Sequence, residues 1–66
     1  MQPWQTRVIA EKVELDDRIN RLAHVLEKAD AYSLDLLSRD LMTRQLGYMR
    51  AYSSCLRDRI ESWSKP

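Results

Sequence analysis

Trp4, Arg7 and Lys12 gather near the start of a helical pattern, and an indole, a guanidinium and an ammonium so spaced suit the holding of a flat anionic molecule. The indole would stack on a base, the guanidinium would grip a phosphate through two parallel hydrogen bonds, and the free N–H groups of a helix start already favour an anion. Lys12 also has a plainer use, its stem lying along an apolar seam while its amine reaches water. Arg44 and Tyr48, four apart later in the chain, pose the same choice between ligand contact and ordinary helix surface. On the residues alone both alternatives stay open.

Catalytic groupings are thin. His24 is the only imidazole, and with Ala23 and Val25 beside it and Arg21 three residues back it reads as a structural histidine on a helix flank. Cys55 reads as a small packing residue, because helical spacing puts no histidine or basic cluster beside it to make a thiolate. Glu11 and Glu14 share a face without a histidine to join them as metal ligands, and no glycine-rich phosphate loop exists. The chain therefore reads as non-enzymatic, with no cofactor and no metal. One Cys and one His fall short of the four ligands of a structural zinc site.

The elements that must position these groups follow from periodicity. Leu46, Met49, Ser53, Leu56, Ile60 and Trp63 recur at spacings of three and four, and Val8, Leu15, Ile19, Leu22, Leu26 and Ala29 do the same with a gap at Lys12. Two apolar seams of this kind predict an all-α, antiparallel two-helix hairpin within a single domain, 1–66. Helix one is expected over about 3–28, with Pro3 in the first turn and Gln2 at the cap. The turn is expected at about 29–33. Helix two is expected over about 34–62, with Ser33 as its N-cap and Asp35 in its first turn. Glu14 with Arg18, Asp17 with Arg21, Asp35 with Arg39 and Asp40 with Arg44 are spaced for acid-before-base pairs on the outer faces. Ser64, Lys65 and Pro66 are expected to form a frayed tail. Gly47 interrupts helix two, as close helix packing, as tolerated neutrality, or as a point where a ligand or another backbone comes near.

A chain of 66 residues buries too little to be stable on its own without a metal, disulfides or association, and a lone cysteine makes no intrachain bridge. Ile9, Val13, Val25, Leu36, Leu41, Met42 and Tyr48 widen the apolar stripe beyond what one partner helix covers, so a homo-oligomer is expected. Eleven basic against ten acidic residues give a net charge of +1, without the basic surplus of a nucleic-acid polymer binder. No apolar run approaches the ~20 residues of a membrane span, and the start lacks the blocks of a signal peptide. A soluble protein of a reducing cytoplasm is expected.

Pro3-x-x-x-Arg7-Val8-x-x-Glu11-Lys12-x-x-Leu15-Asp16-x-Arg18-Ile19, followed by Gln45-x-x-x-Met49-x-x-Tyr52-Ser53-x-x-Leu56-x-x-Arg59-Ile60, resembles small phage proteins. These are the hairpin-domain anti-CBASS and anti-Thoeris sponges. The resemblance implies a phage-encoded helical hairpin that acts in the bacterial cytoplasm during infection. It implies assembly into compact oligomers, commonly hexamers, that sequester cyclic nucleotide immune signals without cleaving them. Cyclic dinucleotides would sit between protomers, cyclic trinucleotides would take separate symmetric sites, and cyclic ADP-ribose isomers would be held by anti-Thoeris members. Carried onto matching positions, it makes Trp4, Arg7 and Arg18 the leading ligand contacts, with Lys12 next. Trp4 departs from the histidine or tyrosine expected there, and the turn lacks the insert of some relatives. The alternative function is a helical adaptor whose apolar stripe receives a host protein's helix; a third is a small DNA-binding or structural oligomer.

Overall fold

The chain folds as two long antiparallel helices joined by one turn, seen in a computed structural model that describes residues 1–64. α1 spans Pro3–Glu27 and α2 spans Leu36–Ser62. The expected Ser64–Pro66 tail reaches beyond the described residues at positions 65 and 66. The hairpin is a rod, with Cα extents of 49 × 15 × 14 Å.

α1 starts as its sequence dictates. Pro3 occupies the first turn, where its missing N–H costs nothing, and the Gln2 N–H donates to Gln5 Oε1 at 2.7 Å. After Glu27 the chain does not break at once. The Tyr32 N–H still bonds Lys28 O, a helical spacing, and only then does the backbone reverse. Leu34 N–H reaches back to Ala29 O and Ser33 N–H to Asp30 O, the paired bonds of a Schellman motif, with Ser33 in the left-handed region at φ 53°.

Ser33 thus closes the helical turn after α1, and the expected N-cap on α2 belongs to Asp35 instead. The Asp35 carboxylate accepts from the Ser38 N–H at 2.7 Å, satisfying one of the orphan donors at the head of α2. α2 accordingly begins at Leu36, two residues later than expected. Arg39 then staples the turn: its Nε donates to Leu34 O at 2.9 Å and its Nη2 to Asp30 at 2.8 Å. The anticipated Asp35–Arg39 pair gives way because the cap occupies one partner and the turn the other.

The seam lies where the spacing puts it. Val8, Ile19, Ala29, Leu46 and Leu56 are buried, and Leu56 is fully so. Leu15, Leu22, Leu26, Met49, Ile60 and Trp63 are only half covered, since a hairpin has no third wall. Cys55 is exposed, not packed as expected, because position 55 points off the shoulder of α2 while Leu56 takes the interior. His24 is likewise exposed. Of the outer-face pairs, Asp17–Arg21 forms at 2.6 Å, whereas Glu14–Arg18 and Asp40–Arg44 are not ion-paired among the described residues.

Large apolar side chains remain in contact with water. Leu37 is 67% exposed, Leu41 50% and Tyr48 69%, all on α2. Their spacing of four and seven puts them on one stripe, beside the seam rather than opposite it. Within the described residues no helix is long and apolar enough to cross a membrane.

Candidate functional site

The stripe on α2 meets α1 to form a groove. Leu15 supplies one wall, and Leu41, Arg44, Gln45, Tyr48, Met49 and Tyr52 supply the floor and the other, enclosing about 390 Å³. Successive α2 members at alternating intervals of three and one residues keep this lining continuous along the helix. Apolar carbon dominates the surface, with a guanidinium near one end and two phenols within the lining. That combination suits a flat, partly aromatic molecule bearing negative charge.

Tyr52 is held in place by its hydroxyl, which donates to the Glu11 carboxylate across the hairpin. The hydrogen bond to Glu11, then partial burial and the carboxylate's charge, push the phenol's pKa above its usual value, against a smaller opposing pull from Arg59. Arg59 follows Tyr52 by seven residues, two helical turns further along the same side of α2. Glu11 fixes which flank of α1 borders it: residues three, four and seven away, Arg7, Glu14 and Arg18, share that flank.

The six residues singled out in the sequence divide accordingly. Arg44 and Tyr48 line the groove together. Arg7 and Arg18 are exposed on the bordering flank of α1, eleven residues apart and so about 16 Å along the axis. Trp4 lies at the open end of the hairpin, its ring 5.3 Å from that of Trp63 and nearly perpendicular to it at 84°. That edge-to-face contact gives Trp4 a packing role, although it is still 45% exposed.

Lys12 belongs to a different constellation. Its Nζ donates to Asp16 Oδ2 at 2.7 Å and to Ser53 Oγ at 3.1 Å, while Ser53 Oγ–H donates to Asp16 Oδ1 at 2.5 Å. The gap in the α1 seam thus faces the one buried polar residue of the α2 seam, and the two non-apolar positions satisfy each other. The bonds from Lys12 and then Ser53 hold the Asp16 carboxyl below the ordinary range. Lys12's stem lies along the seam as its plainer use required, but its amine meets Asp16 and Ser53. No buried side-chain polar atom among the described residues lacks a partner.

Leu15, Gln45, Met49 and Tyr52 also line the groove, and sequence reasoning did not assign them to a site. Leu15 and Met49 were read as seam, which they partly are. Tyr52 carried a legible signal, four residues after Tyr48 and seven before Arg59, so aromatic and basic groups repeat along one side of α2. Among the described residues no group of three or more His, Cys, Asp or Glu is placed to hold a metal ion.

A family model described as Sequestin matches residues 2–62. No curated protein and no solved structure matches the chain.

Proposed function

The chain belongs to the Sequestin family, and from that premise we propose that it sequesters a cyclic nucleotide immune signal, holding it intact between copies of the hairpin. The family's name fits sequestration. The nature of the molecule held is inferred from the groove and from the resemblance to phage anti-CBASS and anti-Thoeris sponges. The observation that carries it is the apolar groove in which Tyr48 and Tyr52 stand beside Arg44. A cyclic dinucleotide has two flat bases and two phosphates, so it needs paired aromatic faces and paired cations. Two copies about a two-fold axis supply both by duplicating Tyr48 and Arg44.

The groove is open along one side, so one hairpin covers only one face of such a ligand, and association supplies the other. In this reading the protein is a homo-oligomer, hexameric as the resemblance implies, acting in the cytoplasm of an infected bacterium. Arg7 and Arg18 offer additional positive charge along the bordering flank. No step of bond cleavage is required, since removal of the signal by tight binding suffices.

Calorimetry and thermal shift with cyclic dinucleotides, cyclic trinucleotides and cyclic ADP-ribose isomers test the reading. A ligand that binds only the folded oligomer raises its melting temperature in proportion to ln(1 + [L]/Kd) and is recovered chemically intact after denaturation. Arg44→Ala should weaken binding roughly ten- to a hundredfold, the loss expected when a charged hydrogen bond worth about 1.5–3 kcal/mol is removed, while leaving the oligomer intact. A melting temperature that no ligand shifts would sink the proposal, and a host protein co-purifying through Leu37 and Leu41 would put the adaptor reading in its place.

A further inference from the structure

At its Tyr52 end the groove offers atoms that only accept hydrogen bonds. The Tyr52 hydroxyl gives its one proton to Glu11 Oε2, so the phenol oxygen keeps a free lone pair and no hydrogen to donate. Glu11 is exposed and ion-paired to no cation among the described residues, which leaves Oε1 and the remaining lone pair of Oε2 open to a ligand. The raised pKa of the phenol, owed first to the bond with Glu11, keeps that proton in place at neutral pH.

The register of the hairpin sets what lies further along. Glu11 with Tyr52, Lys12 with Ser53 and Trp4 with Trp63 pair across the two helices, so Arg18 is level with Tyr48. Arg44 lies about one helical turn beyond Tyr48 in the same lining. Along the groove the order is thus the acceptors of Glu11 and Tyr52, the ring of Tyr48, then the guanidinium groups of Arg18 and Arg44. Arg18 follows Glu11 by seven residues, about 10 Å of helical rise. A nucleotide laid lengthwise meets these in turn with its base edge, its base plane and its phosphate.

We propose that Glu11, held by Tyr52, reads the base of the bound nucleotide and selects guanine. Guanine presents two adjacent donors, N1–H and the N2 amino group, which one carboxylate accepts as a bidentate pair. Adenine sets the acceptor N1 beside its N6 amino group and cytosine sets N3 beside N4, so each turns a lone pair toward the carboxylate. Uracil has a single N–H between two carbonyls. A site committed to accepting hydrogen bonds rejects such an edge, because acceptor faces acceptor. Tyr52 is a positioning residue in this scheme, fixing the direction of the carboxylate. The proposal rests on the sequestration reading above and adds which base the held signal carries.

Calorimetry on the full chain with cyclic di-GMP and cyclic di-AMP tests it. The wild type should bind the guanine ligand about ten- to a hundredfold more tightly, the discrimination expected of one bidentate base contact. Glu11→Gln sets a donor beside an acceptor where two acceptors stood, a pattern that fits adenine, and the Tyr52 hydroxyl can still donate to its carbonyl oxygen. This variant should weaken cyclic di-GMP binding, strengthen cyclic di-AMP binding, and so abolish or reverse the preference. A purely structural role for Glu11 would move both affinities together. Tyr52→Phe frees the carboxylate and should reduce the guanine preference several-fold with cyclic di-AMP affinity unchanged. Circular dichroism checks that both variants keep their helix content.

A wild type that binds the two ligands equally, or prefers adenine, overturns the proposal and leaves sequestration standing. So does a Glu11→Gln protein with the wild-type preference, or binding confined to cyclic ADP-ribose isomers, whose base is adenine. Should Glu11→Gln not fold, the wild-type ratio and Tyr52→Phe decide. Silence of every cyclic nucleotide removes the sequestration reading, and base selection falls with it.

Discussion

The Tyr52 hydroxyl donates to the Glu11 carboxylate, tying the middle of α2 to the groove-side flank of α1 across 41 residues of sequence. Folding raises the pKa of this phenol, so the native chain binds its proton more tightly than the unfolded chain does. The sign follows: the stabilisation is fully present below the unfolded value near 10.0 and is lost as pH rises through the folded one. Thermal melts between pH 8 and 11, a range chosen to bracket that value, should show stability falling on the alkaline side. Tyr52→Phe should be less stable at pH 8 and lose the part of the alkaline decline owed to this phenol. An unchanged alkaline slope would mean that the bond contributes nothing in solution.

Ser33 stands at the C′ position of a Schellman motif with φ 53°, a conformation that costs an L-residue about 1 kcal/mol and glycine almost nothing. Ser33→Gly should therefore raise stability by somewhat less than 1 kcal/mol, because glycine also frees the unfolded chain. Ser33→Val should lower it, β-branching being poorly tolerated there. Urea denaturation of the three proteins orders them Gly above Ser above Val. A destabilised glycine variant would instead make Ser33 a cap, the role its position before Leu34 had suggested.

That serine marks the boundary of what spacing reveals. Period and seam were legible because they repeat: Val8, Ile19, Leu46 and Leu56 are buried where the three-and-four rhythm puts them. The turn does not repeat. Ser33 and Asp35 are both good capping types, and only the backbone direction, set by the bonds from Leu34 and Ser33 back to Ala29 and Asp30, decides between them. The groove fell between these extremes. Arg44 and Tyr48 were found as a helical pair, whereas Tyr52 gains its place from Glu11 on the other helix, a contact that depends on the hairpin's register. Trp4 shows the reverse, since its partner Trp63 was legible only as the end of the opposite seam.

Gly47 sits inside α2 with ordinary helical φ, and a Cβ built there meets nothing within 4 Å. This space rules out close packing within the hairpin and leaves tolerated neutrality or the approach of a ligand or another backbone. Gly47→Ala should stabilise the protein by about 1 kcal/mol through helix propensity, with association unchanged. Denaturant titration at several protein concentrations checks both parts. An alanine variant that associates more weakly would show that another copy's backbone approaches Gly47.

Lys12 and Ser53 occupy seam positions that apolar residues would otherwise fill, and with Asp16 beside them each of the three is satisfied by the other two. Removing one member strands the rest. Ser53→Ala deletes the link between helices while leaving Lys12 with Asp16, and should cost about 1 kcal/mol. Lys12→Ala should cost more, because it uncovers the seam and leaves Asp16 without its cation. Asp16 also sets an acid limit. Its pKa lies below the ordinary carboxylate value of 3.8, so its stabilisation is present above that pH and lost as pH falls through the folded value. Asp16→Asn should blunt that acid transition. The same variants separate structure from ligand contact: on the proposed function, a Lys12→Ala protein that still folds should keep the ligand binding of the wild type, since the Lys12 amine is engaged with Asp16 and Ser53 rather than directed at the groove. Should Lys12→Ala instead keep full stability and lose ligand, the amine leaves Asp16 for phosphate, and the cluster is part of the binding site.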